Sequence, residues 1–286
     1  MADAQDEQVG AAWDAPFGRG RPGWHLECSA MSLDEIGRRF GVQTLDIHAG
    51  GVDLIFPHHE DEIAQSEAAT GQTFARVWLH GAFLNVRGTK MSKRYGNFLT
   101  ARDLKEGGVD PGAIRLLTFQ THYRKELDYN DDALAAARDN SRRLGAFRDR
   151  LHELATDAPD EGVFFALVHQ SEARFRAALD DDLNAPRAVA AVNDFVTEGN
   201  RLMDGGTRPG PAARAAWDLM DGVLDACPSA GVVDTELARW VEERLAARAA
   251  ARQARNFAAA DRVRDELKAR GIQIEDTPQG TKWRVQ

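Results

Sequence analysis

The chain has 286 residues, 43% apolar and 28% charged. That length and composition leave room for two domains and exclude wholesale disorder or a collagen-like fibre. No apolar run reaches the length of a membrane-spanning helix, the acidic opening MADAQDEQ has no secretory apolar stretch, and two cysteines cannot build a disulfide framework. A reducing cytoplasm, with no membrane partner, is therefore expected; a monomer is expected as well. The net charge of −9 argues against indiscriminate coating of nucleic acid. The charge is uneven, however: Glu236–Gln286 carries eleven Lys and Arg against eight Asp and Glu, a net of +3, which leaves −12 on the rest. Electrostatic affinity for a polyanion belongs at the C-terminal end.

From residue 1 to about 125 the texture is mixed. Short apolar runs (Trp78-Leu79 and Phe83-Leu84-Asn85-Val86) read as strands and alternate with helical patterns such as Glu60–Ala69. This predicts an α/β region with a mostly parallel sheet. From 126 to 235, Leu134, Ala137, Leu144, Phe147, Leu151 and Leu154 mark one helical face. Phe164–Leu179 repeats it, Asn184 and Pro186 read as a helix start, and Gly205–Pro211 separates a last helix bearing Trp217, Met220 and Leu224. Four amphipathic helices in series predict a bundle. From 236 to 286 the pattern predicts helices over Leu237–Ala251 and Ala258–Arg270, a stop at Gly271, and a hairpin turning at Thr277-Pro278-Gln279-Gly280.

Three stretches carry chemistry. In Pro57-His58-His59-Glu60-Asp61-Glu62, expected to open a helix, His58 and Glu62 are four apart and share a face. With the Cys28 thiolate they make a zinc donor set. A solvated helix start and an inert core cysteine are the competing reading. Zinc with an open position bonds a substrate thiol far better than a hydroxyl, a discrimination beyond what pocket packing alone supplies. Next, Asp46-Ile47-His48-Ala49-Gly50-Gly51-Val52-Asp53 reads as a strand entering a Gly-Gly turn. Gly51 permits close approach of a ligand and Asp53 can accept from a ribose; a plain turn is the alternative. Lastly, Lys90-Met91-Ser92-Lys93-Arg94, flanked by Gly88 and Gly96, is a mobile basic loop suited to a triphosphate, or simply a solvated one.

Together, GRGRPGWHLECSAMS (18–32), DIHAGGVDLIFPHHEDEIAQSEA (46–68), KMSKRYGNFLT (90–100), THYRKELDY (121–129), DDDLNAPRA (180–188) and FAAADRVRDELKARGIQIEDTPQGTKW (257–283) resemble cysteinyl-tRNA synthetase, a class I aminoacyl-tRNA synthetase. The likeness spans nearly the whole chain. It implies part of a Rossmann-like catalytic domain over 1–125, a tRNA-binding helical bundle over 126–235 and an anticodon-region domain over 236–286. It implies ATP-dependent activation of L-cysteine, with Mg2+, and transfer to tRNA(Cys).

By the same resemblance Cys28, His58 and Glu62 hold one Zn2+, and Trp24 lines the amino-acid pocket. Gly51 and Asp53 contact adenosine, and Lys90, Met91, Ser92, Lys93 and Arg94 handle the phosphates, with Lys90 and Lys93 in catalysis. Two departures are small: Arg94 stands where the family has Ser, and Ala49 where it has Gly, which matters only at positive φ. A larger one is the absence of any HxGH string and of a second metal-site cysteine, for which Cys227 is a poor substitute. The resemblance implies that roughly the first half of the nucleotide-binding domain is missing, so exposed apolar edges are expected over 1–125, and these residues alone should fail to activate cysteine. Two other readings are an inactive tRNA-binding remnant and a cysteine:amino-sugar ligase of mycothiol synthesis, the latter disfavoured by the tail at 257–283.

Overall fold

The computed structural model describes residues 2–160, 162–227, 235–254, 256–277 and 280–285, with backbone alone for Lys93 and for 235–238, 275–277, 280, 282, 284 and 285. Two compact units follow one another, Met1–Ala226 and Cys227–Gln286. Among the described residues no helix is long and apolar enough to cross a membrane.

The first unit opens with a short helix α1 (Ala4–Gln8) and an antiparallel pair, β1 (Trp13–Ala15) and β2 (Gly18–Gly20). Helix α2 (Trp24–Met31) carries Cys28 and runs on as a wider π-type coil over Ser32–Arg38. Strand β3 (Leu45–Gly51), helix α3 (Glu60–Thr70) and parallel strand β4 (Ala75–Gly81) then form a crossover unit, with Ile47 beside Val77 and His48 beside Trp78. Alternation puts His48, Trp78 and His80 on one face and Leu45, Ile47, Ala49, Val77 and Leu79 on the other. The first face meets the histidines at the start of α3. The second is apolar yet open, with Ile47 60% and Val77 47% exposed. Parallel sheets are ordinarily covered on both faces; here it is a face, and not the expected edge, that is apolar and open.

A second sheet holds β5 (Leu84–Val86), β6 (Thr89–Lys90) and β7 (Leu127–Tyr129) in the order β6-β5-β7. Between β6 and β7 lie α4 (Ala101–Glu106) and α5 (Pro111–Phe119), each started by a capping side chain, Thr100 and Asp110.

The bundle consists of α6 (Asp131–Leu154), α7 (Gly162–Asp180), α8 (Ala185–Asp204) and α9 (Pro211–Leu224). The predicted start at Asn184 is a true cap: its side chain accepts from the Arg187 amide, and Pro186 follows in the first turn. The start of α9 is capped at a distance by the buried Asp160 carboxylate, which accepts from the amides of Gly210, Ala212 and Ala213. Fully buried rings fill the centre: Phe147 lies 5.5 Å from Phe195 and 5.1 Å from Trp217. Gly199 lets α8 come this close, since a Cβ there would meet the Phe147 ring at 2.9 Å. Phe195→Ala should cost about 3–5 kcal/mol by cavity formation, read as a lower urea midpoint of the bundle's far-UV signal.

In the second unit α10 (Thr235–Gln253) and α11 (Phe257–Ala269) precede the hairpin β8 (Ile272–Thr277) and β9 (Gly280–Val285). Val241, Leu267 and Ile272 form its core, and Gly271 takes φ +71° at the end of α11, as its type predicts. The guanidiniums of Arg244 and Arg270 lie over the Trp240 ring, at 5.6 and 4.2 Å. Pro278 and Gln279, at the predicted turn, lie outside the described residues.

Candidate metal centre and phosphate loop

Helix α3 is reached through a kinked turn over Ile55–His59, so the helix proper begins at Glu60 and not at the predicted Pro57. The turn rotates His58 and His59 inward, 5% and 3% exposed. Glu62, one turn on, is fully buried. Ligand atoms of Cys28, His58 and Glu62 all lie within 4.8 Å of one another, and so do those of His48, His59 and Glu62. Glu62 thus belongs to both sets. His58 Nε2 stands 3.4 Å from its Oε1 and His48 Nε2 stands 3.1 Å from its Oε2. Neither approach has hydrogen-bond geometry, which leaves both buried oxygens without a hydrogen-bonded partner. A bare buried carboxylate is costly, and a cation among these donors removes that cost.

The surrounding electrostatics agree. Burial pushes the Glu62 carboxyl up, and burial followed by the Glu62 charge pushes the Cys28 thiol up. A divalent cation bound between them would favour the deprotonated form of both groups and so oppose these shifts. The outer nitrogens of the two histidines are already occupied. His58 Nδ1 is 2.8 Å from His25 Nδ1, whose other nitrogen lies 3.4 Å from Asp61, and His59 Nδ1 is 2.8 Å from His80 Nε2. Each ring so held has its Nε2 turned toward the carboxylate, the usual outer support of a metal-binding imidazole.

Burial, then His48, His80 and His58, lowers His59 to about 4; His48 and His58 are lowered too, first by burial. These rings are neutral when folded and charge when unfolded near the ordinary value of about 6.5. In chelator-treated protein the imidazoles should therefore make stability fall as pH drops from about 6.5 toward 4, by about 1–2 kcal/mol between pH 7 and 5, an effect that the raised Glu62 carboxyl partly offsets and that Glu62→Gln should unmask. The urea midpoint at the two pH values measures this.

The remaining predicted residues fall around this cluster. Trp24 packs against His58 with ring centres 4.4 Å apart and the rings tilted by 41°, and keeps 58% of its surface exposed. Gly50 and Gly51 do not form a turn: they end β3, paired with His80 and Gly81. The need for glycine is one of space, since a Cβ on Gly50 would meet the His59 ring at 2.8 Å and one on Gly51 would meet Asp53 Oδ1 at 2.6 Å. Ala49 is an ordinary strand residue without positive φ, so it causes no conflict.

Asp53 is 3.7 Å from Lys90 Nζ, which also sits 3.6 Å over the Phe83 ring. The basic stretch is folded rather than a bare loop. Asn97 accepts from the Ser92 amide and donates to the carbonyls of Thr89 and Lys90, while the Met91 amide donates to Leu84. Arg94 is exposed, and the side chain of Lys93 lies outside the described residues. Cys227 belongs to the second unit and is in neither donor set.

Residues 3–139 match the model of the tRNA synthetases class I (C) catalytic domain, 174–225 the DALR domain and 234–284 the cysteinyl-tRNA ligase anticodon binding domain. The cysteine–tRNA ligases of Halorhodospira halophila and Solibacter usitatus are 47% and 44% identical to it, over 96% and 95% of this chain. The chain belongs to the cysteinyl-tRNA synthetase family. It spans 58% of the length of each of these two relatives. LeuRS of Agrobacterium radiobacter K84, in a ternary complex with tRNA and LeuAMS, superposes with a TM-score of 0.55 over 80% of this chain and 34% of its own, at 15% identity. That likeness concerns the fold alone, the class I architecture expected from the motifs.

Within this family site, sequence reading missed His25, His48, His59 and His80. The signal for two of them was strand parity: His48 and His80 are register neighbours of Trp78 and Gly50, so all lie on one face once β3 and β4 are aligned.

Proposed function

We propose that these residues form the metal-binding and phosphate-binding part of a cytoplasmic cysteine–tRNA ligase, acting on L-cysteine, ATP with Mg2+, and tRNA(Cys). The observation carrying this reading is the convergence of the half-buried Cys28 with the buried His58 and Glu62, their ligand atoms all within 4.8 Å of one another. Cys, His and carboxylate donors suit zinc, with three protein ligands and one open position. Zinc bound there supplies direct recognition of the substrate thiol. Cys28, His58 and Glu62 would hold the ion, His25 orients the His58 ring, and Trp24 walls the amino-acid pocket. Gly51 and Asp53 accommodate the adenosine. Lys90, Lys93 and Arg94, with the Met91 and Ser92 backbone, neutralise the phosphates as the cysteine carboxylate attacks the α-phosphate in line and pyrophosphate leaves. The aminoacyl group then passes to the terminal ribose of the tRNA.

The functional division follows the texture of the sequence: catalytic over 1–125, tRNA-contacting bundle over 126–235, anticodon region over 236–286. The match of 234–284 to an anticodon-binding model favours tRNA over an amino-sugar acceptor. A gel shift with the purified 286-residue chain tests partner choice. tRNA(Cys) should bind at least about 10-fold tighter than other elongator tRNAs at low salt, with affinity falling steeply as salt rises. Equal binding of all tRNAs, or none at low salt, defeats the assignment.

A further inference from the structure

One carboxylate outside the cluster holds a geometry that the bundle alone does not require. Asp182 lies in the turn between α7 and α8, where it and Leu183 both take positive φ, +54° and +52°. Residues bearing a Cβ avoid that region, and two in succession persist only where the surroundings impose it. The turn is held by the Leu183 amide donating to Leu179, the Asn184 amide donating to Ala178, and Arg187 reaching Asp181.

It delivers the Asp182 carboxylate to the segment just before β7. Tyr123 donates its hydroxyl to Oδ1 at 2.6 Å, and Arg124 donates from Nε to Oδ2 at 2.6 Å and from Nη2 to Oδ1 at 3.1 Å. His122 Nε2 is 3.9 Å away. An exposed ion pair alone is worth little, but a bidentate arginine with a second donor on the same carboxylate is the exception. The Arg124 and Tyr123 donors hold Asp182 down to about 2, so it is ionised wherever the protein is folded at ordinary pH.

The gripped segment is itself bonded to the hairpin that carries the basic stretch. The Ala82 amide donates to Tyr123, Leu127 to Phe83 and Arg87 to Tyr129. The Gly88 amide donates to the Asp128 carboxylate at 2.7 Å, and Asn85 donates to Glu126 at 2.9 Å. A continuous path of hydrogen bonds thus runs from the bundle turn, through 123–129, to the 82–90 hairpin and so to Lys90–Arg94. We propose that Asp182 is a positioning residue that fixes the phosphate-binding loop relative to the bundle by clamping Tyr123 and Arg124. The inference rests on the reading of 90–94 as a phosphate loop.

Asp182→Gly separates clamp from turn, because glycine relieves the positive φ while removing the carboxylate. Asp182→Asn keeps an acceptor for Tyr123 and tolerates positive φ, so it is the conservative partial rescue. Hydrogen exchange on the full 286-residue chain reads the clamp. In Asp182→Gly, amides of 84–90 and 127–129 should exchange about 10-fold faster, with those of 45–51 and of α8 unchanged and Asp182→Asn intermediate. Calorimetric titration with inorganic tripolyphosphate reads its consequence, a loss of about 5-fold or more in affinity in Asp182→Gly that Asp182→Asn partly restores. Unchanged exchange at 84–90 in Asp182→Gly overturns the clamp, as does a loss of protection spread evenly over the whole unit. Absence of tripolyphosphate binding by the unmodified chain would instead count against the phosphate-loop reading, and the exchange experiment would still decide the clamp.

Discussion

Cys28→Ala should strip the protein of zinc. Purified without chelator, the unmodified chain should carry about one zinc per polypeptide by elemental analysis. The variant should retain less than a tenth of that after gel filtration, with an affinity at least about 100-fold lower by competition with a chromophoric chelator. The magnitude follows from the small donor set. Apparent zinc affinities in four-ligand sites correspond to about 10–16 kcal/mol, so removing one of only three protein donors costs several kcal/mol. Cys28 is also the one soft donor of its set, and a thiolate is the ligand zinc holds best against oxygen competitors. Glu62→Gln should act in the same direction, since an amide oxygen brings no negative charge to the ion. His48→Gln should reduce affinity less, by about 10-fold or more, as expected of a group facing the second oxygen of Glu62. Equal zinc content in Cys28→Ala would show that the ion, if bound, sits elsewhere, and His48, His59 and Glu62 would then be the donors to examine.

The bundle and the cluster were legible in the sequence to different depths. Helices α6 to α9 could be read almost to the residue because their signals are local: apolar spacing, the Asn184 cap with Pro186, and the break at Gly205. The pairing of His58 with Glu62 was local too, one helical turn on one face. What lay out of reach depended on register and on long-range contact. His48 and His80 become neighbours of the cluster only when β3 and β4 pair in parallel, and His25 comes from α2, whose approach to α3 no spacing encodes. The Gly50-Gly51 pair looked like a turn because turns are the commonest use of adjacent glycines. Here the His59 ring, delivered by the kink before α3, is what excludes a side chain. The run of three aspartates at 180–182 stood out only as part of a family-like segment, since only the fold distinguishes Asp182 from Asp180 and Asp181.

Supplying the family's N-terminal part, which these 286 residues do not include, should raise cysteine-dependent ATP–pyrophosphate exchange from background by at least about 10³-fold, the scale that positioning and charge stabilisation command. The physical ground is the open face of β3 and β4. Leu45, Ile47, Ala49, Val77 and Leu79 make an apolar stripe on a parallel pair, and such pairs are stable when both faces are covered. Ile47→Lys provides the control. In the 286-residue chain Ile47 is 60% exposed, so the substitution should change stability by no more than about 0.5 kcal/mol. In the extended protein the same lysine would be buried under the added layer, at a cost of about 2 kcal/mol or more, and exchange activity should fall with it. The pair of outcomes separates a covered face from a merely apolar one. Efficient exchange by the 286 residues alone, or an Ile47→Lys substitution equally harmless in both proteins, would mean that this face is complete as it stands and that the catalytic site needs nothing laid across it.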